Sequence, residues 1–244
     1  MIEWLMGAMS NMGLSEDAEG YLLGRGLKED RIRELGIVEW KATQVGEAPA
    51  PEEFAKTYGA YGASVTGLLA IPVRAPSGKW LGIEFRSYKG DKRVRQFRIP
   101  EAEYTAQFAG MAPSIMEKVW NGADIWVVEG LFDLAAMEHV VPARDVVLGT
   151  FRARVSRSHV DFFSRFCRGT VHMVYDRDET GRNMTNGYVD SRTGKRVWGA
   201  LDSMRRVGIP CRDVPYMGGK DPGEIWDSGG IPALKQAFDR SIVQ

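Results

Sequence analysis

The chain has 244 residues and a mass of 27.2 kDa, room for one large domain or two smaller ones sharing a core. It is 44% hydrophobic and 26% charged, ordinary for a globular protein, and its 28 glycines predict many tight turns. Lys plus Arg and Asp plus Glu balance at 32 each, so any surface for nucleic acid must be a local patch. No apolar run reaches the roughly 18 residues that span a bilayer, so no membrane association is expected. Met1-Ile2-Glu3-Trp4 lacks the basic and apolar regions of a signal peptide, and a cytoplasmic protein is expected. Cys167 and Cys211, the only cysteines, exclude a four-cysteine zinc ribbon and a disulfide framework. His139, His159 and His172 form no HExxH or close pair, and no GxSxG surrounds a serine. Gly218-Gly219-Lys220-Asp221 lacks the glycine spacing and hydroxyl of a P-loop. The histidines read as structural.

Met1–Met12 is apolar enough to dock on the core. Residues 15–40 predict two short helices, the first capped by Ser15 and ended by Gly24 or Gly26, the second running Lys28–Leu35 to a stop at Gly36. Gln44–Glu53, with Gly46, Pro49 and Pro51, reads as a loop. Leu68–Val73, Trp80–Tyr88 and Val94–Ile99, separated by turns at 76–78 and 90–91, predict an antiparallel meander. From a boundary near Asn121-Gly122 the texture changes. Short apolar runs at 124–128, 146–148, 171–175 and 209–214 alternate with helical patterns at 131–139, 156–166, 200–207 and 231–240. That alternation predicts βαβ units around a buried parallel sheet. The expected architecture is an α+β N-terminal subdomain over 1–120 and an α/β, Rossmann-like domain over 121–244.

In such sheets ligands sit outside the carboxyl ends of the strands. Glu129-Gly130 follows the first run, with Asp133 one turn on; Asp176 and Asp178 follow the third; Lys220-Asp221-Pro222-Gly223-Glu224 follows the fourth. Any one of these acids alone reads as a cap or turn residue. Together they direct negative charge at one rim, where a divalent cation is the usual compensation. Mg²⁺, which uses a few carboxylates plus water and substrate phosphates, suits an open rim of this kind, and so does nucleotidyl transfer.

These motifs resemble the TOPRIM domain shared by bacterial-type (DnaG-type) primases, topoisomerases of types IA and II and some nucleases. The N-terminal half favours the primase branch. Tyr21-Leu22-Leu23-Gly24-Arg25-Gly26-Leu27, with Ile32 and Leu35-Gly36-Ile37, is similar to the opening of the primase polymerase core. Ile71-Pro72-Val73, Ser77-Gly78-Lys79 and Gly82-Ile83-Glu84-Phe85-Arg86 resemble strands of its basic subdomain, and Phe97–Glu101 its basic, proline-containing segment. The resemblance spans roughly residues 15–230. It implies acid/base work for Glu129, a metal-binding pair at Asp176 and Asp178, further acids at Asp133 and Asp221, and Mg²⁺ or Mn²⁺ as cofactor, with no zinc. The sequence departs from the pattern at Gly223, where the family carries an acid that Glu224 can replace. The family helix after Asp-x-Asp is expected to be delayed by a hairpin at Tyr188–Trp198 turning at Arg192–Lys195. With no zinc ribbon or helicase-binding region in the sequence, a separate template-recognition factor or a replicative helicase is an expected partner.

Between Glu84 and Arg98, six basic residues (Arg86, Lys89, Lys92, Arg93, Arg95, Arg98) face two acids, with Trp80, Phe85, Tyr88 and Phe97 interleaved. Cations hold phosphates and aromatics stack bases, a sequence-tolerant grip on single strands; the same run also fits a solvated sheet face. Arg152, Arg154, Arg157, Arg165 and Arg168 form a second basic run that fits a solvated helix face or a guide for nucleic acid, with Arg152 and Arg154 nearest the rim. Lys220 is a further candidate for nucleotide contact. The expectation is a compact primase of phage or mobile-element type. It would be a nucleotidyltransferase with DNA-directed RNA polymerase activity, making short RNA primers on single-stranded DNA from ribonucleoside triphosphates. A TOPRIM nuclease and a non-catalytic single-strand-binding factor are the alternatives.

Overall fold

The computed structural model describes residues 1–46, 49–90, 94–151 and 154–242. In chain order, α1 (Ile2–Ser10), α2 (Glu16–Gly24), α3 (Glu29–Leu35), β1 (Val38–Glu39) and α4 (Glu52–Tyr58) precede a meander of β2 (Leu69–Arg74), β3 (Trp80–Arg86) and β4 (Val94–Arg98). Then α5 (Pro113–Trp120) leads to β5 (Ile125–Val128), α6 (Leu131–Met137), β6 (Val146–Gly149), α7 (Arg157–Phe166) and β7 (Val171–Met173). The chain closes with α8 (Glu179–Asn186), the hairpin β8 (Tyr188–Val189) and β9 (Arg196–Val197), α9 (Ala200–Arg205), β10 (Cys211–Asp213) and α10 (Pro222–Ile242).

Local chemistry explains many of these boundaries. Ser15 is extended and its hydroxyl accepts the Ala18 N–H, while Glu16, Asp17 and Glu19 load the first turn of α2 with charge that its dipole favours. Gly36 ends α3 at φ 70°, a conformation that costs glycine little. The meander forms with a fourth strand the sequence did not suggest: β1 pairs with β2, giving an antiparallel sheet ordered β1-β2-β3-β4. The second sheet, β10-β7-β5-β6, is parallel throughout, and β5 at its centre is buried along its whole length.

Each sheet has its own core. Trp40, Phe54 and Phe85, all fully buried, anchor the first together with Leu5 of α1. Burying aromatics of this size contributes roughly 2–3 kcal/mol each. The second core gathers Ile125, Val127, Leu148 and Met173 with Phe162 and Phe163 of α7; Ala106, Phe108, Ile115 and Val119, upstream of residue 121, pack into it. Between the sheets Leu22, Ile32 and Leu35 pack on Leu131, Phe132 and Ala135 of α6, so α2 and α3 join the two halves. Single bridges from Phe108 to Arg74 and from Ala109 to Gly149 stitch both sheets to one connecting segment. Arg31 adds a buried clasp, donating to Glu138 at 2.9 Å and to the Gly110 carbonyl at 2.6 Å.

Two sequence expectations are corrected. The helix after Asp-x-Asp is not delayed: α8 starts at once because Asp178 accepts the Gly181 N–H at 2.8 Å and caps it, and the expected hairpin follows α8. The last helix begins at Pro222 rather than near Ile231, which opens only the second arm of α10 beyond a break at Gly229–Gly230. Proline at the start of α10 gives up a donor that no helix end can use. Among the described residues, no helix is long and apolar enough to cross a membrane.

Candidate active site

The carboxyl ends of β5, β7 and β10 meet at one rim, and backbone hydrogen bonds lock it. The Lys220 carbonyl accepts from the Arg177 N–H at 2.8 Å and from the Tyr216 hydroxyl at 2.8 Å, and the same hydroxyl reaches the Tyr175 carbonyl at 3.0 Å. This lacing brings the segment after β10 against the segment after β7. Arg177, between the two aspartates, turns away to Asp213 at 3.1 Å and stacks over Tyr216.

A cleft of about 310 Å³ opens at this rim, lined by Glu129, Asp133, Asp176 and Asp221 on one side and by Arg25, Glu84, Arg86 and Gln96 on the other. The acids raise one another's affinity for protons. Burial, then the charge of Asp176, pushes Glu129 up to about 7, and burial followed by Asp221 pushes Asp133 up as well. Asp176 is raised by burial even though Lys220 opposes the shift. Asp133 is held by two N–H donors, Gly130 and Gly223, each at 3.1 Å, so Gly223 contributes its backbone where the family pattern has an acid. A Cβ there would stand 3.2 Å from Asp133 and 3.3 Å from Asp221. Glu224 does not supply the missing acid, because its carboxylate is turned back to the Lys220 N–H at 2.5 Å. Asp178 combines capping with a carboxylate 3.3 Å from the Lys220 ammonium, which also lies 2.8 Å from Asp176.

Whether this donor set fits a divalent cation turns on two observations. Glu129 Oε1 is buried with no hydrogen-bond partner, an orphan acceptor costly to leave unmatched. Among the described residues, the cation between Asp176 and Asp178 is a half-exposed lysine on a flexible stem. Among the described residues no three His, Cys, Asp or Glu side chains close around a single point. Oxygen donors in ones and twos, completed by water and phosphate, are what Mg²⁺ takes, so the rim fits such an ion.

The opposite wall was only partly foreseen. Two guanidinium groups lie over the Phe132 ring, Arg25 at 4.7 Å and Arg86 at 4.5 Å from its centre. Arg25, from the end of α2, is also paired with Asp227 of α10. Glu84 is buried beside Gln96, its cross-strand partner, which donates to it at 2.8 Å; burial raises its proton affinity. Phe151, at φ 56°, lines the cleft at the end of β6 and receives Arg98 over its ring. Arg25, Glu84, Gln96, Phe132 and Phe151 went unnoticed as cleft residues because only chain folding brings them to the acids.

Of the predicted basic residues that are described, Arg86 alone lines this cleft. Arg98 is tied to Gln107 and to the Ile83 and Phe97 carbonyls and lines a neighbouring cavity of about 340 Å³ with Arg154. Arg95 is exposed and reaches Ser64, and Lys89 lies over Tyr88. Lys92, Arg93 and Arg152 lie outside the described residues. Each histidine is engaged by the fold: His139 with the Gly26 carbonyl, His159 with Ser156 and the Gln107 carbonyl, His172 with Asp124.

No family model matches the sequence, and neither does any curated protein. Solved structures do match. The zinc-binding and RNA polymerase domains of the Aquifex aeolicus primase superpose with a TM-score of 0.64 at 17% identity, covering 98% of this chain and 60% of that one. The RNA polymerase domain of Mycobacterium tuberculosis primase DnaG, solved with double-stranded DNA, gives 0.63 at 17% identity over 98% of this chain and 78% of that one. A DnaG primase catalytic domain bound to single-stranded DNA gives 0.62 at 16% identity, over 98% and 78%. The match thus spans about three fifths of that two-domain Aquifex aeolicus chain and more of the others. Its two sheets and their connections have the fold of the DnaG-type primase catalytic core.

Proposed function

We propose that this chain is a primase: a nucleotidyltransferase that joins ribonucleoside triphosphates into short RNA on a single-stranded DNA template. One observation carries the reading: a rim of acids faces Arg25 and Arg86 across a single cleft, on a primase-core fold. Nucleotidyl transfer needs both signs of charge close together, cations for the triphosphate and acids that would hold the metal neutralising the reacting phosphoryl group.

In this reading residues 121–244 are the TOPRIM domain and residues 1–120 the basic subdomain. Asp176 and Asp178, with Glu129, would hold Mg²⁺ or Mn²⁺, and Asp133 and Asp221 shape the charge around them. Such an ion supplies charge neutralisation at the phosphoryl centre where the 3′-hydroxyl attacks and pyrophosphate departs. Arg25 and Arg86, fixed by Phe132, bind phosphate oxygens through planar forks. Glu129, with a proton affinity centred at about 7, is suited to take the hydroxyl proton at Oε1. Arg95, Lys89 and Arg98, on or beside the β3–β4 face, extend positive charge away from the cleft for the template.

The test incubates purified protein with single-stranded DNA, Mg²⁺ or Mn²⁺ and labelled NTPs, beside the double variant Asp176→Asn/Asp178→Asn. Template-dependent oligoribonucleotides, lost in the variant, are expected. Metal-dependent shortening of the DNA without synthesis would replace the primase with a nuclease using the same acids. Binding without either reaction would reduce the chain to a single-strand-binding factor.

A further inference from the structure

The hairpin between α8 and α9 contributes to no core cluster, yet its base is tightly closed. Gly187, at φ 77°, and Gly199 meet so closely that a Cβ on either would stand 2.6 Å or less from the other strand's backbone. A hairpin of two-residue strands gains little stability of its own. The side chains it displays are apolar and cationic. Trp198 is 50% exposed, Val189 62% and, on the adjoining turn, Val207 53%. Arg206 lies 4.6 Å and Arg196 5.6 Å from the Trp198 ring centre.

The charge here is strongly one-sided. Arg192, Lys195, Arg196, Arg205 and Arg206 stand against Asp190 and Asp202. Asp190 is turned into the loop, accepting the Arg192 and Thr193 N–H groups, and Asp202 is spent on Arg196 at 2.8 Å. Among the described residues Arg192, Lys195 and Arg206 form no ion pair. An exposed indole framed by guanidinium groups and surplus cations is complementary to a polyanion with flat, stackable bases. An acidic protein surface would match the charge but leave the indole without a stacking partner.

We infer that the β8–β9 hairpin is a second contact for single-stranded nucleic acid, with Trp198 stacking a base and Arg206, Arg192 and Lys195 meeting the phosphates. The inference rests on the primase reading and adds a grip outside the cleft. Only α8, whose eight residues span about 12 Å, separates the Asp178 cap from the hairpin. A strand held at the rim reaches it within about four nucleotides at the 3.4 Å rise.

The test measures binding of a labelled 20-nucleotide single strand to the full chain by fluorescence anisotropy, at several salt concentrations, with thermal melting to verify folding. Trp198→Ala is expected to weaken binding about tenfold, the loss of one stacked base, and Trp198→Phe to retain most of it. Arg206→Gln is expected to lower the magnitude of the salt slope by about 0.7. Photocrosslinking of a bromouridine-substituted strand is expected to label residues 187–206. Variants that bind as tightly as the parent, or crosslinks confined to the cleft, overturn the hairpin contact and leave the primase reading standing. A parent that binds no single strand at any salt overturns both.

Discussion

The Lys220 ammonium sits 2.8 Å from the Asp176 carboxylate, in the position where a divalent cation would compensate the same charge. On the proposed reading, lysine and metal compete for Asp176. Lys220→Ala removes the competitor, so Mn²⁺ is expected to bind the variant several-fold more tightly in calorimetric titrations without nucleotide. If the displaced ammonium then turns to the triphosphate, the same variant shows a raised KM for NTP. Unchanged Mn²⁺ affinity would mean that lysine and metal occupy separate positions.

Glu129 links the site to stability through pH. Its carboxyl titrates at about 7 in the folded chain against an ordinary 4.5, raised by burial and then by Asp176. Between those values the folded state holds more protons than the unfolded one, so stability falls as pH rises through the window. Glu129→Gln abolishes that loss. With a chelator present, the variant is expected to melt near the parent at pH 5 and to exceed it at pH 8 by about 1–2 kcal/mol, a figure discounted for partial solvent access. Its synthetic activity is expected to drop at least a hundredfold. Equal melting at both pH values would refute the charge repulsion.

The acids were legible in the sequence because a strand-then-carboxylate pattern is local, and topology does the rest by collecting strand ends on one rim. The cleft's far wall was not. Arg25 arrives through the packing of α2 on α6, and Glu84 and Gln96 meet only because β3 and β4 pair in that register. No short-range pattern encodes such partners. The delayed-helix error has a local cause: Glu179–Asn186 offers a single large apolar side chain, Met184, so little beyond the Asp178 cap announces a helix there. For Arg98 the charge was legible but its tethering was not, because its partners, two carbonyls and Gln107, are brought to it by the fold.

Gly181 offers a steric test of how the rim is set. An added Cβ would stand 2.1 Å from the Asp176 carbonyl oxygen and 2.8 Å from its carbon, so the start of α8 fits only because this residue has no side chain. Gly181→Ala is expected to cost about 1–3 kcal/mol and, by displacing Asp176, to reduce synthesis at least tenfold. Gly20→Ala is the control, a helical glycine with nothing within 4 Å, expected to gain about 0.5–1 kcal/mol in melting and to keep full activity. Equal effects from the two substitutions would mean that α8 slides freely along the rim.

At the other end of the parallel sheet, Asp124 does purely structural work. It accepts the Thr170 N–H at 2.7 Å and the His172 ring at 3.0 Å, while Arg212 donates to the remaining ring nitrogen at 2.8 Å and so fixes the tautomer. Partial burial pushes the Asp124 carboxyl up, but the hydrogen bonds from His172 and Thr170 outweigh it and hold the group below its ordinary 3.8. A depressed carboxyl stabilises the fold above its unfolded value, and that contribution is lost as pH falls through the folded one. Asp124→Ala is therefore expected to cost about 2–3 kcal/mol from pH 8 down to pH 5, with the gap to the parent closing below about pH 4. Denaturant titrations at each pH measure the gap directly. Synthesis per folded molecule is expected to stay at the parental level, because Asp124 precedes β5 whereas Glu129 follows it, and the length of the strand separates this network from the acids.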